Sequence, residues 1–177
     1  MLRALKLLIF LVAGSCLLPN AATAQMVSLS PQAGPALGTV IRGSTATTFS
    51  MTTAGVVSRT SGDAIRMSSG MVAVPTVSFN CGLLNLAELC LLRPVRVTIS
   101  PSSAGGAATI SRFRISNLSG TTYRSGSAPQ DASILVFDLN PLLLSTVTFK
   151  LGLDVLVEAG AQTGNAAYSY TVSVTFI

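Results

Sequence analysis

The sequence contains no histidine and no tryptophan, and only 10% of its residues are charged. Without histidine, the commonest general base and metal ligand is missing. The acids Asp63, Glu88, Asp131, Asp138, Asp154 and Glu158 are scattered, and none follows the alternating oxygen-ligand spacing of a calcium loop. There is no Gly-x-Ser-x-Gly elbow, no phosphate-binding glycine loop and no dinucleotide fingerprint. Aromatic residues make up 6% of the chain and give its arginines no stacking platform for nucleic acid. Beyond the N-terminal segment, no run is apolar and charge-free for long enough to cross a bilayer. These gaps predict a protein that is not an enzyme, with no cofactor, no metal, no nucleic-acid partner and no membrane span in its mature form.

What the chain has instead is alternation. Val147, Phe149, Leu151, Leu153, Val155 and Val157 fall on every second position, and so do Tyr168, Tyr170, Val172, Val174 and Phe176. A period of two is that of a half-buried β-strand. Residues 159–165 between the runs are small, polar and Gly-rich, and predict a turn. The expectation is a long antiparallel hairpin whose second strand ends at the carboxyl terminus.

Upstream, residues 37–42, 45–51, 72–80, 94–100, 107–116 and 133–139 read as strands, with 64–67 a short one. Pro75 makes the strand over 72–80 begin late or lie at an edge. Within 107–116, Phe113 and Ile115 share one face, and Ile110, Arg112 and Arg114 the other. Residues 25–36 read as extended or coil, and the Ser-, Gly- and Thr-rich residues 117–131 as a long surface connection. Outside the N-terminus only residues 83–92 are compatible with a helix. The pattern predicts an all-β domain, a sandwich of about seven to nine antiparallel strands.

Arg3 and Lys6 precede an apolar stretch over residues 7–18 and the small residues Ala22-Thr23-Ala24. This is the build of an export signal cut before Gln25. Residues 1–24 then form a signal-peptide helix and residues 25–177 a single domain, located in the periplasm, on the outer surface or outside the cell. The rival is lipoprotein processing at Cys16, where Ala13 stands in place of a larger aliphatic residue. Removal of Arg3 and Lys6 leaves nine basic and six acidic residues, a net charge of +3.

Cys81 and Cys90 survive that cut, and an even count in an exported chain predicts one disulfide. Two separate thiols are the alternative. A bridge closing so short a loop contributes about 2.5–3 kcal/mol. Inside it, Leu83, Leu84, Leu86 and Leu89 form either a contact loop for a partner or lipid surface, or a flap over one end of the sandwich.

The charged residues offer two further candidates. Arg112 and Arg114, with Arg93 and Arg96, form either a basic patch or a solvated face. Asp138 and Asp154 lie on or beside predicted strands, and two carboxylates brought together could serve a glycosidase; scattered surface charge is the plainer reading. Asn117-Leu118-Ser119 matches a glycosylation sequon by pattern alone.

The pattern Leu37-Gly38-Thr39-Val40, the turn at Gly43, the Thr-rich strand after it and the ending Ala167-Tyr168-Ser169-Tyr170-Thr171-Val172-Ser173-Val174-Thr175-Phe176 resembles a bacterial secreted family, domain of unknown function 4402. That family usually has Phe where Leu37 stands, and the cysteine loop is not part of its general pattern. The carboxyl end is also similar to pilins and spore-coat-U-like subunits of the chaperone–usher route. Those carry a glycine fourteen places from the end, here Gly164, and a penultimate aromatic residue, here Phe176. The resemblance implies an immunoglobulin-like, pilin-like sandwich that lacks a strand, completed by a neighbour's N-terminal segment through β-augmentation. Gly164, Tyr170, Val172, Val174 and Phe176 would form the assembly strand, and Val27 and Leu29 the candidate donor segment. Partners would be a periplasmic chaperone and like subunits. The expected function is a structural or adhesive subunit of a cell-surface, fimbria-like assembly. The alternative is a self-contained periplasmic or surface binding module for glycan or envelope material.

Overall fold

The computed structural model describes residues 27–31, 36–81, 93–102, 108–160 and 163–177. The strands are β1 (Val27–Ser30), β2 (Ala36–Ile41), β3 (Thr47–Met51), β4 (Val57–Ser61), β5 (Ile65–Arg66), β6 (Thr76–Asn80), β7 (Val95–Pro101), β8 (Ala108–Ser119), β9 (Thr121–Tyr123), β10 (Leu135–Pro141), β11 (Thr146–Val157), β12 (Thr163–Ala167) and β13 (Tyr170–Phe176). Among the described residues there is no helix, and every strand pair is antiparallel. The described residues form an all-β fold. The signal segment 1–24 and the helix-compatible residues 83–92 lie outside the described residues.

The first sheet is built on β11. Its register with β8 runs from Thr148 to Val157. β6 pairs with residues 146–150 and β3 with residues 153–157, so these two share the opposite edge, end to end. β1 extends the sheet beyond β6 and β4 beyond β3. The alternation of β11 explains its position. Val147, Phe149, Leu151, Leu153, Val155 and Val157 all point into the core and are 0 or 1% exposed. Apolar area on that scale is the main stabilising term for a strand, at roughly 25 cal/mol per Å² removed from water.

The second sheet has the order β13-β7-β10-β9, and a third, smaller sheet the order β12-β2-β5. The two larger sheets face each other in a sandwich-like arrangement. Phe137 of β10 meets Phe149 of β11 edge-on at 5.8 Å, and Phe113 of β8 meets Tyr170 of β13 at 6.3 Å. Such T-shaped pairs set the positive edge of one ring against the negative face of the other.

Several sequence expectations fail here for identifiable reasons. The terminal hairpin does not form, because β13 pairs with β7 in the second sheet while β11 stays in the first. Alternation tells which face of a strand is buried but not which strand lies beside it. Residues 159–165 are not simply a turn, since Thr163–Ala167 is β12 and pairs with β2. Residues 117–131 hold the end of β8 and all of β9. The thirteen described strands exceed the expected seven to nine because β1, β4, β9 and β12 are short or lie in Ser-, Thr- and Gly-rich stretches. Pro75 does delay the start of β6, yet β6 is interior, between β1 and β11. Pro75 itself sits before the first paired residue, and its carbonyl accepts from the Leu151 N–H at 2.9 Å.

Ile110 does not share a face with Arg112 and Arg114. Asp154 is opposite Arg112 while Val155 is opposite Ile110, so Ser111 is an extra residue on β8. This bulge inverts the alternation and turns Ile110 into the core beside Phe113. The Ser111 hydroxyl donates to the Asp154 carbonyl at 3.2 Å.

Candidate functional site

β13 is the edge strand of the second sheet. Its register, Val172↔Ile99, Val174↔Val97 and Phe176↔Val95, lays each inward residue beside a fully buried one on β7. Backbone bonds prolong the pairing at both ends, from the Ser102 N–H to the Ser169 carbonyl and from the Ile177 N–H to the Pro94 carbonyl. Yet Tyr170, Val172 and Phe176 are only half-buried. Burial pushes the Tyr170 phenol up to about 12. It also pushes the phenol of Tyr168 well above its ordinary range, helped by the neighbouring Tyr170; the Tyr168 hydroxyl lies 3.7 Å from the Met51 sulfur.

β1 is the corresponding edge of the first sheet. The half-buried Val27 and Leu29 lie on it opposite the buried Phe79 and Val77 of β6. The candidate donor segment is therefore paired within its own chain. β1 and β13 approach each other at one flank of the sandwich, but no hydrogen-bonded register joins them. Neither has a second neighbouring strand among the described residues. The result is a seam between two edge strands whose half-buried side chains, Val27 and Leu29 on β1 and Tyr170, Val172 and Phe176 on β13, pack against the core.

Gly164 is separate from this seam. It lies on β12 opposite Val40 of β2, exposed, with nothing near the space a side chain would occupy. Cys81 follows directly on β6 and is buried in the core, and its N–H donates to the Ser145 carbonyl. Cys90, Leu83, Leu84, Leu86 and Leu89 lie outside the described residues.

Arg96, Arg112 and Arg114 are neutralised by aspartates, while Arg93 is exposed and in none of the described ion pairs. Asp138 accepts two bonds from Arg96, at 2.8 and 3.0 Å. The hydrogen bond from Arg96 holds the Asp138 carboxyl below its usual range, and the Asp138 carboxylate raises Arg96 in return. Arg114 donates to Asp154 at 2.6 Å, to Asp131 at 3.2 Å and to the Ser50 hydroxyl at 2.9 Å. Burial opposes the Arg114 charge, but its bonds to Asp154 and Asp131 outweigh that and raise its pKa. Arg112 adds a longer contact to Asp154 at 3.7 Å. Gly152 makes this cluster reachable. It lies opposite Arg114, and a Cβ there would sit 2.6 Å from the arginine's Cγ, so only glycine leaves room for the stem to cross the strand. Asp138 and Asp154 are on the outer faces of different sheets, each in an ion pair, and do not form a two-carboxylate site.

Sequence reasoning passed over Asp63. Its carboxylate takes four bonds, from the N–H and hydroxyl of Ser44 and of Thr45, at 2.7–3.0 Å. The hydroxyl bonds from Ser44 and Thr45, followed by the backbone bonds, hold it far below the ordinary carboxylate range. The buried Thr47 hydroxyl accepts from the Asp63 and Ala64 N–H groups, so two loops interlock. The signal was Gly43-Ser44-Thr45 and Gly62-Asp63, turn chemistry whose long-range partner a local reading does not supply.

No protein-family profile, no curated protein and no solved structure matches the chain. Among the described residues no group of histidine, cysteine, aspartate or glutamate side chains is placed to hold a metal ion.

Proposed function

We propose that this chain is an exported structural or adhesive subunit of a cell-surface, fimbria-like assembly, with no catalytic role. In this reading the fold is an immunoglobulin-like, pilin-like variant of the sandwich, preceded by a cleaved signal helix. The domain is related to the secreted family of domain of unknown function 4402. Cys81 and Cys90 form a disulfide that anchors the leucine-rich contact loop. A periplasmic chaperone and like subunits add a strand at β13.

One observation supports this most: the seam between β1 and β13. An edge strand with open backbone groups and half-covered apolar side chains is a template for another strand. The test is sedimentation of the chain purified from the export compartment, with and without a peptide of residues 25–36. The expected outcome is self-association that the added peptide suppresses. A stable monomer, indifferent to the peptide at all concentrations, would sink the proposal.

The second reading, a self-contained binding module, is favoured by β1. Val27 and Leu29 already complete an edge of their own sheet. That reading predicts the stable monomer.

A further inference from the structure

A hollow of about 340 Å³ opens where β3, β4 and β5 meet the residues after β5. Val57 and Ile65 give it accessible apolar surface, Phe49 and Ala64 lie almost fully buried behind them, and Arg59, Arg66, Ser68 and Ser69 complete the lining. The size is at the low end for small-molecule sites, and such sites combine an apolar lining with a few placed polar groups.

The two arginines distinguish this hollow. Among the described residues the ion pairs are Arg96–Asp138, Arg112–Asp154, Arg114–Asp131 and Arg114–Asp154, and none is at this hollow. Asp63 is adjacent in sequence, but Ser44 and Thr45 occupy its carboxylate. Among the described residues, Arg59 and Arg66 have no carboxylate partner. They are nevertheless held in place. Arg59 donates one N–H to the Ala64 carbonyl at 3.1 Å. Arg66 donates Nε–H to the Leu37 carbonyl at 2.6 Å and an Nη2–H to the Gly70 carbonyl at 2.8 Å. Each guanidinium has five N–H donors, so most remain unclaimed. A second hollow, of about 460 Å³, differs in holding one such arginine, Arg124, rather than two, since its Arg96 is tied to Asp138, which also lines it.

We propose that the hollow binds an anionic sugar, with its carboxylate on Arg59 and Arg66. A guanidinium presents paired donors that match the two oxygens of a carboxylate. The limited apolar surface of Val57 and Ile65 suits the C–H face of a sugar ring in an otherwise polar lining, and the Ser68 and Ser69 hydroxyls suit its hydroxyls. The site is remote from the seam between β1 and β13 and does not depend on the assembly reading.

The test is calorimetric titration of the full exported chain at low salt with glucuronate, glucose and inorganic phosphate. Glucuronate is expected to bind, with glucose at least ten-fold weaker and phosphate weaker than glucuronate. R59Q is expected to weaken glucuronate at least ten-fold, while R124Q, in the second hollow, leaves it unchanged. R66Q removes bonds that hold the chain together, so its melting is followed in parallel; R59Q, which loses one backbone bond, carries the test if R66Q unfolds. Glucose binding as tightly as glucuronate, R59Q binding like the unaltered protein, or no saturable glucuronate binding would each overturn the proposal. Phosphate binding as tightly as glucuronate would overturn the sugar assignment.

Discussion

In β11 the inward side chains from Val147 to Val157 are fully buried, whereas in β13 only Val174 approaches that state and Tyr170, Val172 and Phe176 stay half-covered. The two strands carry the same alternation. They differ in neighbours. β11 has strands along both edges and a sheet over its inner face, while β13 has β7 on one edge and, among the described residues, no strand on the other. A period of two thus fixes the orientation of side chains, and the number of neighbours fixes how much water is expelled from them.

The comparison predicts a gradient of mutational cost. Phe149→Ala on β11 removes a ring that packs against Phe137, and should destabilise the fold by about 3–5 kcal/mol in urea denaturation. An equal cost for Val172→Ala on β13 would erase the distinction between the strands. Gly152→Ala should cost about 1–3 kcal/mol, because the new methyl displaces the Arg114 stem that crosses β11. Full stability in that variant would mean that the cluster around Asp154 tolerates a different route for Arg114. Val172→Ala itself should cost about 1 kcal/mol or less, since its methyl groups are only partly removed from water.

Two smaller effects follow from pH. Asp63 and Asp138 are held below the ordinary carboxylate range in the fold. Their contribution is therefore fully present above the unfolded value of about pH 4, and is lost as pH falls from there through the lower folded values. D63N should make the acid limb of the stability curve shallower, with the plateau at neutral pH lowered. An unchanged acid limb would remove Asp63 from the account. At the alkaline end the sign reverses. The Tyr170 phenol is raised to about 12, so its contribution is intact below about pH 10 and is lost as pH rises through the folded value. Tyrosinate absorbance in the native protein should show no phenol from Tyr170 near pH 10, and Y170F should flatten the alkaline limb.

Much of the fold was legible in the residues because β-structure writes its burial pattern locally. The core face of β11 could be read position by position, as could the strands at 37–42, 45–51, 94–100 and 133–139. β12 was hidden by its composition, since Thr163-Gly164-Asn165 has the residues of a turn and is held as a strand by β2. The bulge at Ser111 was hidden because one extra residue shifts the phase without any compositional mark. The candidate site was less legible still. The residues of β13 were identified, but the assignment of Gly164 to the same strand did not hold, and the seam with β1 depends on two segments far apart in the chain.

The amino-acid order alone determined that this is an all-β chain and which side of β11 meets the core, because side-chain direction alternates with every peptide. Only the tertiary structure decided that β13 joins β7 rather than β11, that Arg114 reaches across Gly152 to Asp154, and that Arg59 and Arg66 share a hollow without an acid between them. Those outcomes depend on which distant segments come together, and that is set by the packing of the whole core rather than by any local period.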